Sequence, residues 1–248
     1  MRAGLLRLLS AGTLLVALAS LACAQNAVAP VDGGSTPALA NSENVYIVSA
    51  DDVILNGRLF GAENDVAVVL THMQPNDQTA WFPFAQELAA NGFAALTFNF
   101  RSYGDSGGDR DYSKLDDDLA AAVRYLHDRG KQHVFVVGAS MGGTTALVVA
   151  AEADVDGVAA ISAPARFEEQ DALAAAPEIT VPKLLMASEG DEAAVLSLDE
   201  LRPLLSQPAE TEVYPGNLHG TALFDPQEND QAAAVRARVL RFLQDYRP

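Results

Sequence analysis

The sequence predicts an α/β fold, with a mostly parallel sheet of about eight strands covered by helices on both faces. Three observations carry that prediction. Several short runs are apolar throughout, as in Val-Ala-Val-Val-Leu at residues 66–70, which suits strands buried on both sides rather than strands with one wet face. These runs alternate with segments whose apolar residues recur at helical spacing, and such alternation implies right-handed crossovers between parallel strands. Glycine stands just past two of the helical segments, at Gly92 and Gly130, where a left-handed stop is wanted.

Residues 45–49 and 53–60 read as two short strands joined by the Asp51-Asp52 turn, an antiparallel entry hairpin. The buried run 66–70 follows. Trp81, Phe84, Ala85 and Leu88 then mark a helix that Asp77 or Thr79 can cap, with Pro83 in its first turn and Asn91-Gly92 at its end. Residues 93–100 return to a strand. Ser113 and Asp116 resemble a capping box for a helix whose Leu115, Leu119, Val123 and Leu126 share one face. Residues 133–137 form a strand, 141–153 a helix, 157–162 a strand and 183–187 another; 197–205 read as a weaker helix and 211–214 as a short strand. Asp225-Pro226 opens a last helix lined by Val235, Val239, Phe242 and Tyr246.

Composition bounds the function. The chain has 248 residues, 49% hydrophobic and 20% charged, with 18 glycines, 12 prolines and a single cysteine, which excludes a disordered tail, a collagen-like chain and a disulfide scaffold. A formal net charge of −17 argues against nucleic-acid binding and against recruitment by anionic lipid. Arg2 and Arg7 precede an apolar stretch at residues 8–22, the layout of an export signal and too short for a membrane span. Two processing routes are open. Ala22-Cys23-Ala24 permits cleavage before Gln25, whereas Ser20-Leu21-Ala22-Cys23 resembles a lipoprotein box that would acylate Cys23. The expected layout is therefore an export segment at 1–24, a tether at 25–43 rich in Ala, Asn, Pro, Gly, Ser and Thr, and one domain at 44–248, placed in the cell envelope or outside the cell. Membrane contact would come only through a lipid at Cys23, and a monomer is the default.

In a parallel sheet, ligands bind beyond the carboxyl ends of the strands. Gly138-Ala139-Ser140-Met141-Gly142 lies between a predicted strand and a predicted helix, the placement that lifts a serine above the sheet on a strained turn and needs small neighbours on both sides. A serine nucleophile needs a base, and the base an orienting acid. Ser188-Glu189-Gly190-Asp191 follows the strand at 183–187, and Pro215-Gly216-Asn217-Leu218-His219-Gly220 follows the strand at 211–214. That order assigns Ser140 as nucleophile, His219 as base and Asp191 as acid. Glu189, Asp199 and Glu168 are rival acids. His127 and His133 read as structural or solvated, and neither a metal-binding motif nor a cofactor fingerprint is present.

On these residues, together with Leu70-Thr71-His72-Met73 and the run from Asn99 to Gly108, the chain resembles the α/β-hydrolase superfamily, particularly small bacterial serine esterases related to dienelactone hydrolases and lysophospholipases. The resemblance implies an oxyanion hole made by the backbone amides of Met73 and Met141, with His72 supporting the loop from beneath. Met73 stands where the family usually has glycine, so its side chain is expected to narrow the acyl pocket. Met73, Trp81, Tyr103 and Phe167 are the candidate pocket walls. Residues 163–181 hold only a short apolar helix around Ala172 to Ala176, so a minimal cap is expected. The expected function is an exported, cofactor-independent serine hydrolase acting on carboxylic esters of small or medium acyl size. A thioesterase, amidase or peptidase with the same residues, or a binding module that kept the fold and lost turnover, are the alternatives.

Overall fold

The structure, a computed structural model, describes residues 41–248. The expected export segment, Cys23 and nearly all of the tether lie outside the described residues. The first strand, β1 (Ser42–Val48), begins three residues before the expected Val45 and pairs antiparallel with β2 (Ile54–Phe60). Val45 and Ile47 of β1 are buried while Tyr46 and Val48 are exposed, the period-two alternation of a half-buried edge strand.

The chain then alternates strand and helix: β3 (Val66–Thr71), α1 (Phe82–Ala90), β4 (Phe93–Phe98), α2 (Leu115–Asp128), β5 (His133–Ala139), α3 (Met141–Ala150) and β6 (Gly157–Ile161). A two-stranded hairpin of β7 (Arg166–Phe167) and β8 (Gln170–Asp171) and one turn of helix, α4 (Ala172–Ala175), follow β6. The chain ends with β9 (Lys183–Ser188), α5 (Glu192–Leu201), β10 (Ala209–Tyr214) and α6 (Ala232–Asp245). Eight strands form one sheet in the order β1-β2-β4-β3-β5-β6-β9-β10, parallel from β4 to β10.

Every residue of β3, β4, β6 and β9 is buried, including the polar Thr71, Thr97, Lys183 and Ser188 that interrupt their largely apolar runs. Alternate residues feed opposite faces. Val66, Val68 and Leu70 join Trp81, Phe84 and Leu88, with Val235, Val239 and Phe242 of α6, on one side. Ala67 and Val69 join Leu119, Val123 and Leu126 of α2, with Leu147 of α3, on the other.

Several helix boundaries differ from expectation, each for a local reason. Ser113 and Asp116 make no capping box. Asp111 accepts from the Ser113 amide at 3.0 Å and closes a 3-10 turn at Tyr112–Lys114, so α2 starts at Leu115, one residue past the expected start. The helix expected at 197–205 instead begins at Glu192 and tightens into a 3-10 turn at Arg202–Leu204, because Pro203 has no amide hydrogen to continue the ladder. Asp225-Pro226 does not open the last helix. The Asp225 carboxylate accepts from the Gln227 amide at 2.8 Å and forms a separate turn, and α6 starts at Ala232. The helix expected over 141–153 stops at Ala150.

Candidate active site

β5 ends at Ala139 and α3 begins at Met141, leaving Ser140 alone at the bend with φ 50° and ψ −118°. A non-glycine residue at positive φ is strained, and the neighbours show why the chain accepts it. A Cβ on Gly142 would lie 2.7 Å from the carbonyl oxygens of Thr71 and His72, and one on Gly138 would overlap the Gly142 carbonyl. Both positions therefore need glycine so that β3, β5 and α3 can close on one another. The Ser140 amide donates to the Ile161 carbonyl at 2.8 Å and the Thr71 hydroxyl to the Gly142 carbonyl at 3.0 Å, fixing the bend against its neighbours.

His219 follows β10 and lies between two of the expected partners. Its Nε2 is 2.8 Å from Ser140 Oγ and its Nδ1 is 2.7 Å from Asp191 Oδ2. Asp191 follows β9, and the two loops are laced together. The Gly190 amide donates to the Gly216 carbonyl at 2.7 Å, and the Ser188 hydroxyl donates to the Leu218 carbonyl at 2.7 Å. Asp191 is enclosed, its side chain 11% exposed, while that of His219 is 44% exposed. Of the rival acids, Asp199 faces Arg202 at 3.7 Å, and Glu189 and Glu168 are exposed. Chemically, this is a hydroxyl hydrogen-bonded to an imidazole whose second nitrogen is held by a carboxylate, placed where a helix N-terminus offers unpaired amides.

The model of the alpha/beta hydrolase family matches residues 53–247. The chain belongs to that family. It is similar to the Pyrococcus furiosus esterase Pf2001, with 20% identity and a TM-score of 0.71 over 84% of this chain and 91% of that one. It is likewise similar to XC6422 from Xanthomonas campestris, described as a serine hydrolase without a lid, with 19% identity and a TM-score of 0.67 over 84% and 96% of the two chains. The chain spans about half the length of the curated relatives it matches: YfhR of Escherichia coli O157:H7, an uncharacterised protein, is 27% identical over 130 residues, 49% of this chain and 46% of YfhR.

In this family member the loop after β3 carries both His72 and Met73. His72 is fully buried. Its Nε2 receives the Phe100 amide hydrogen at 3.1 Å, so its Nδ1 bears the proton and donates to the Met73 carbonyl at 3.1 Å. Burial pushes its pKa down to about 4, with the Met73 carbonyl opposing part of that shift. The ring is neutral and braces the Met73 peptide from below. His127 and His133 serve elsewhere. His127 bonds the carbonyls of Lys131 and Asp154 at 2.8 and 2.9 Å, and His133 faces Asp156 at 3.0 Å.

The four expected pocket residues separate. Trp81 is not a pocket wall: it is fully buried, its indole donates to the Thr71 carbonyl at 2.9 Å, and its ring meets Phe224 edge-on at 4.9 Å. Its helical spacing with Phe84 is the spacing of core. Tyr103 is also mostly enclosed, with its hydroxyl 3.8 Å from Met141 Sδ and its ring 4.8 Å from His72. Phe167 lies on β7 and packs edge-on against Tyr112 at 5.3 Å. The Met73 side chain reaches the histidine loop, where Sδ accepts from the Thr221 amide at 3.4 Å.

Sequence reasoning missed Tyr112, whose hydroxyl accepts from Gln74 at 2.8 Å, and Thr221, whose hydroxyl accepts from Asn76 at 3.1 Å. Neither sits in a motif; only tertiary contact singles them out. Among the described residues no cluster of three His, Cys, Asp or Glu side chains has metal-binding geometry. No helix among them is long and apolar enough to cross a membrane.

Proposed function

We propose that the chain is a serine hydrolase cleaving carboxylic esters of small or medium acyl size through an acyl-enzyme. The observation that carries this reading is the unbroken line Asp191–His219–Ser140, with contacts of 2.7 and 2.8 Å, at a strained strand-to-helix bend. In the first step Ser140 Oγ attacks the ester carbonyl while His219 Nε2 takes its proton, and Asp191 holds the resulting imidazolium. The amides of Met73 and Met141 receive the negative charge of the tetrahedral intermediate. His219 then gives the proton to the leaving alkoxide, and water, activated by the same imidazole, releases the acid and restores the hydroxyl.

The short connection from β6 to β9, a six-residue hairpin segment and one helical turn, supports a substrate of modest size entering from solvent. The fold shared with an esterase and with a serine hydrolase described as lacking a lid agrees with that reading. Short p-nitrophenyl esters and a fluorophosphonate probe provide the test. Wild-type protein should turn over the ester and label covalently, and Ser140→Ala should do neither. A wild-type protein inert to both would refute the assignment, and a preference for acyl thioesters over matched oxygen esters would move the substrate class.

A further inference from the structure

His219 is the most exposed of the three aligned groups, with 44% of its side chain in solvent against 11% for Asp191. Packing around the ring is sparse, so beyond its contact with Asp191 its aim depends on the loop that carries it. On the amino side, Leu218 is held by the Ser188 hydroxyl. On the carboxyl side the chain enters a 3-10 turn at Gly220–Phe224, and the first amides of such a turn lack partners within it.

The loop after β3 supplies what is missing. Met73 Sδ accepts from the Thr221 amide at 3.4 Å, and Asn76 Nδ2 donates to Thr221 Oγ1 at 3.1 Å. Gly220 between them is buried at φ +58°, and a Cβ there would overlap the Met73 sulfur. The thioether thus occupies the space that a side chain at position 220 would need. A large residue on the oxyanion loop is matched by the smallest one beside the histidine.

We propose that Met73, Gly220 and Thr221 form a clasp that positions His219 against Ser140, making Met73 a positioning residue for the base rather than a wall of the acyl pocket. The inference rests on the serine-hydrolase reading. It links two parts of the machinery through one residue: the Met73 amide faces the developing oxyanion while its side chain steadies the proton carrier. Proton transfer tolerates little displacement, since about 1 Å of misplacement can cost about a hundredfold in rate.

The test is a double-mutant cycle of Met73→Ala and Gly220→Ala, read by steady-state hydrolysis of p-nitrophenyl acetate and by the rate of fluorophosphonate labelling, with Tm measured on each variant. Met73→Ala should lower kcat about tenfold, leave KM within about twofold, and slow labelling in proportion. Gly220→Ala should cost about tenfold in kcat beside Met73 but less than about threefold beside Ala at position 73, where the added Cβ has room. Thr221→Val keeps the volume and the backbone donor but loses the acceptor for Asn76; it should lower kcat about threefold with KM unchanged, and it serves if the glycine variant fails to fold. A retained kcat with altered KM or acyl-length preference in Met73→Ala would overturn the clasp and make Met73 a pocket wall. Equal costs of Gly220→Ala in both backgrounds would also overturn it, leaving only backbone strain. Failure of the underlying reading looks different, because wild-type protein would then neither label nor turn over.

Discussion

At the scale of single residues, His72 has the clearest consequence for stability. The unfolded chain binds its proton near the usual 6.5, whereas the folded chain resists protonation until about 4. Between those values the unfolded state holds more protons, so lowering the pH through that window favours unfolding, by up to about 3 kcal/mol. Urea midpoints of the wild type should fall as pH drops from 6.5 to 4, and His72→Gln should lose that part of the slope. A slope unchanged in the variant would show that other groups cause it. Ser140 and His219 were legible in the sequence because strand ends could be located and Gly-x-Ser-x-Gly followed one of them. The carboxylate was less so: four candidates followed the strands, and only the lacing of Gly190 to Gly216 and of Ser188 to Leu218 puts Asp191, and not its neighbour Glu189, against the ring. Trp81 misled because a core aromatic and a pocket aromatic have the same spacing on a helix.

At the scale of elements, one ion network joins three segments that are remote in sequence. Arg101, just after β4, donates to Asp118 of α2 at 2.7 Å and to Asp51 of the β1–β2 turn at 2.9 Å. The Arg101 amide also reaches Asp118, at 2.9 Å. Hydrogen bonds from Arg101 and Ser49 hold the Asp51 carboxyl well below the usual carboxylate range. Asp118 is fully buried, so Asp118→Ala leaves the Arg101 amide without its acceptor and the guanidinium with only the half-exposed Asp51; a loss of about 3 kcal/mol and a Tm lower by about 10 °C should follow. Asp51 is 42% exposed, and Asp51→Asn should lower Tm far less than Asp118→Ala does. Thermal melts of the two variants side by side check the contrast, and equal shifts would contradict it. The strands were easier to read than the helix ends because a buried strand is a continuous apolar run, whereas an end depends on which of several Asp or Ser side chains captures an amide. Asp111 and Asp225 each captured one in a turn of its own, and so moved the starts of α2 and α6.

At the scale of the whole molecule, the parallel register brings the loops after β3, β5, β9 and β10 to one edge of the sheet, which is why chain order alone grouped Met73, Ser140, Asp191 and His219. The alternation of elements made the architecture legible. The lightly covered edge, where nearly half of the His219 side chain meets solvent, has a chemical corollary. If the proposed acyl-enzyme forms on Ser140, it lies beside a base open to solvent, and any small alcohol in the medium should compete with water for it. Hydrolysis in the presence of methanol should therefore yield methyl ester alongside free acid, in a ratio that rises with methanol concentration and is measured directly by chromatography of the products. Free acid alone at molar methanol would mean that the open edge admits only one nucleophile. Under the proposed mechanism, the same exposure that leaves the histidine dependent on its loop would let an alcohol take the acyl group in place of water.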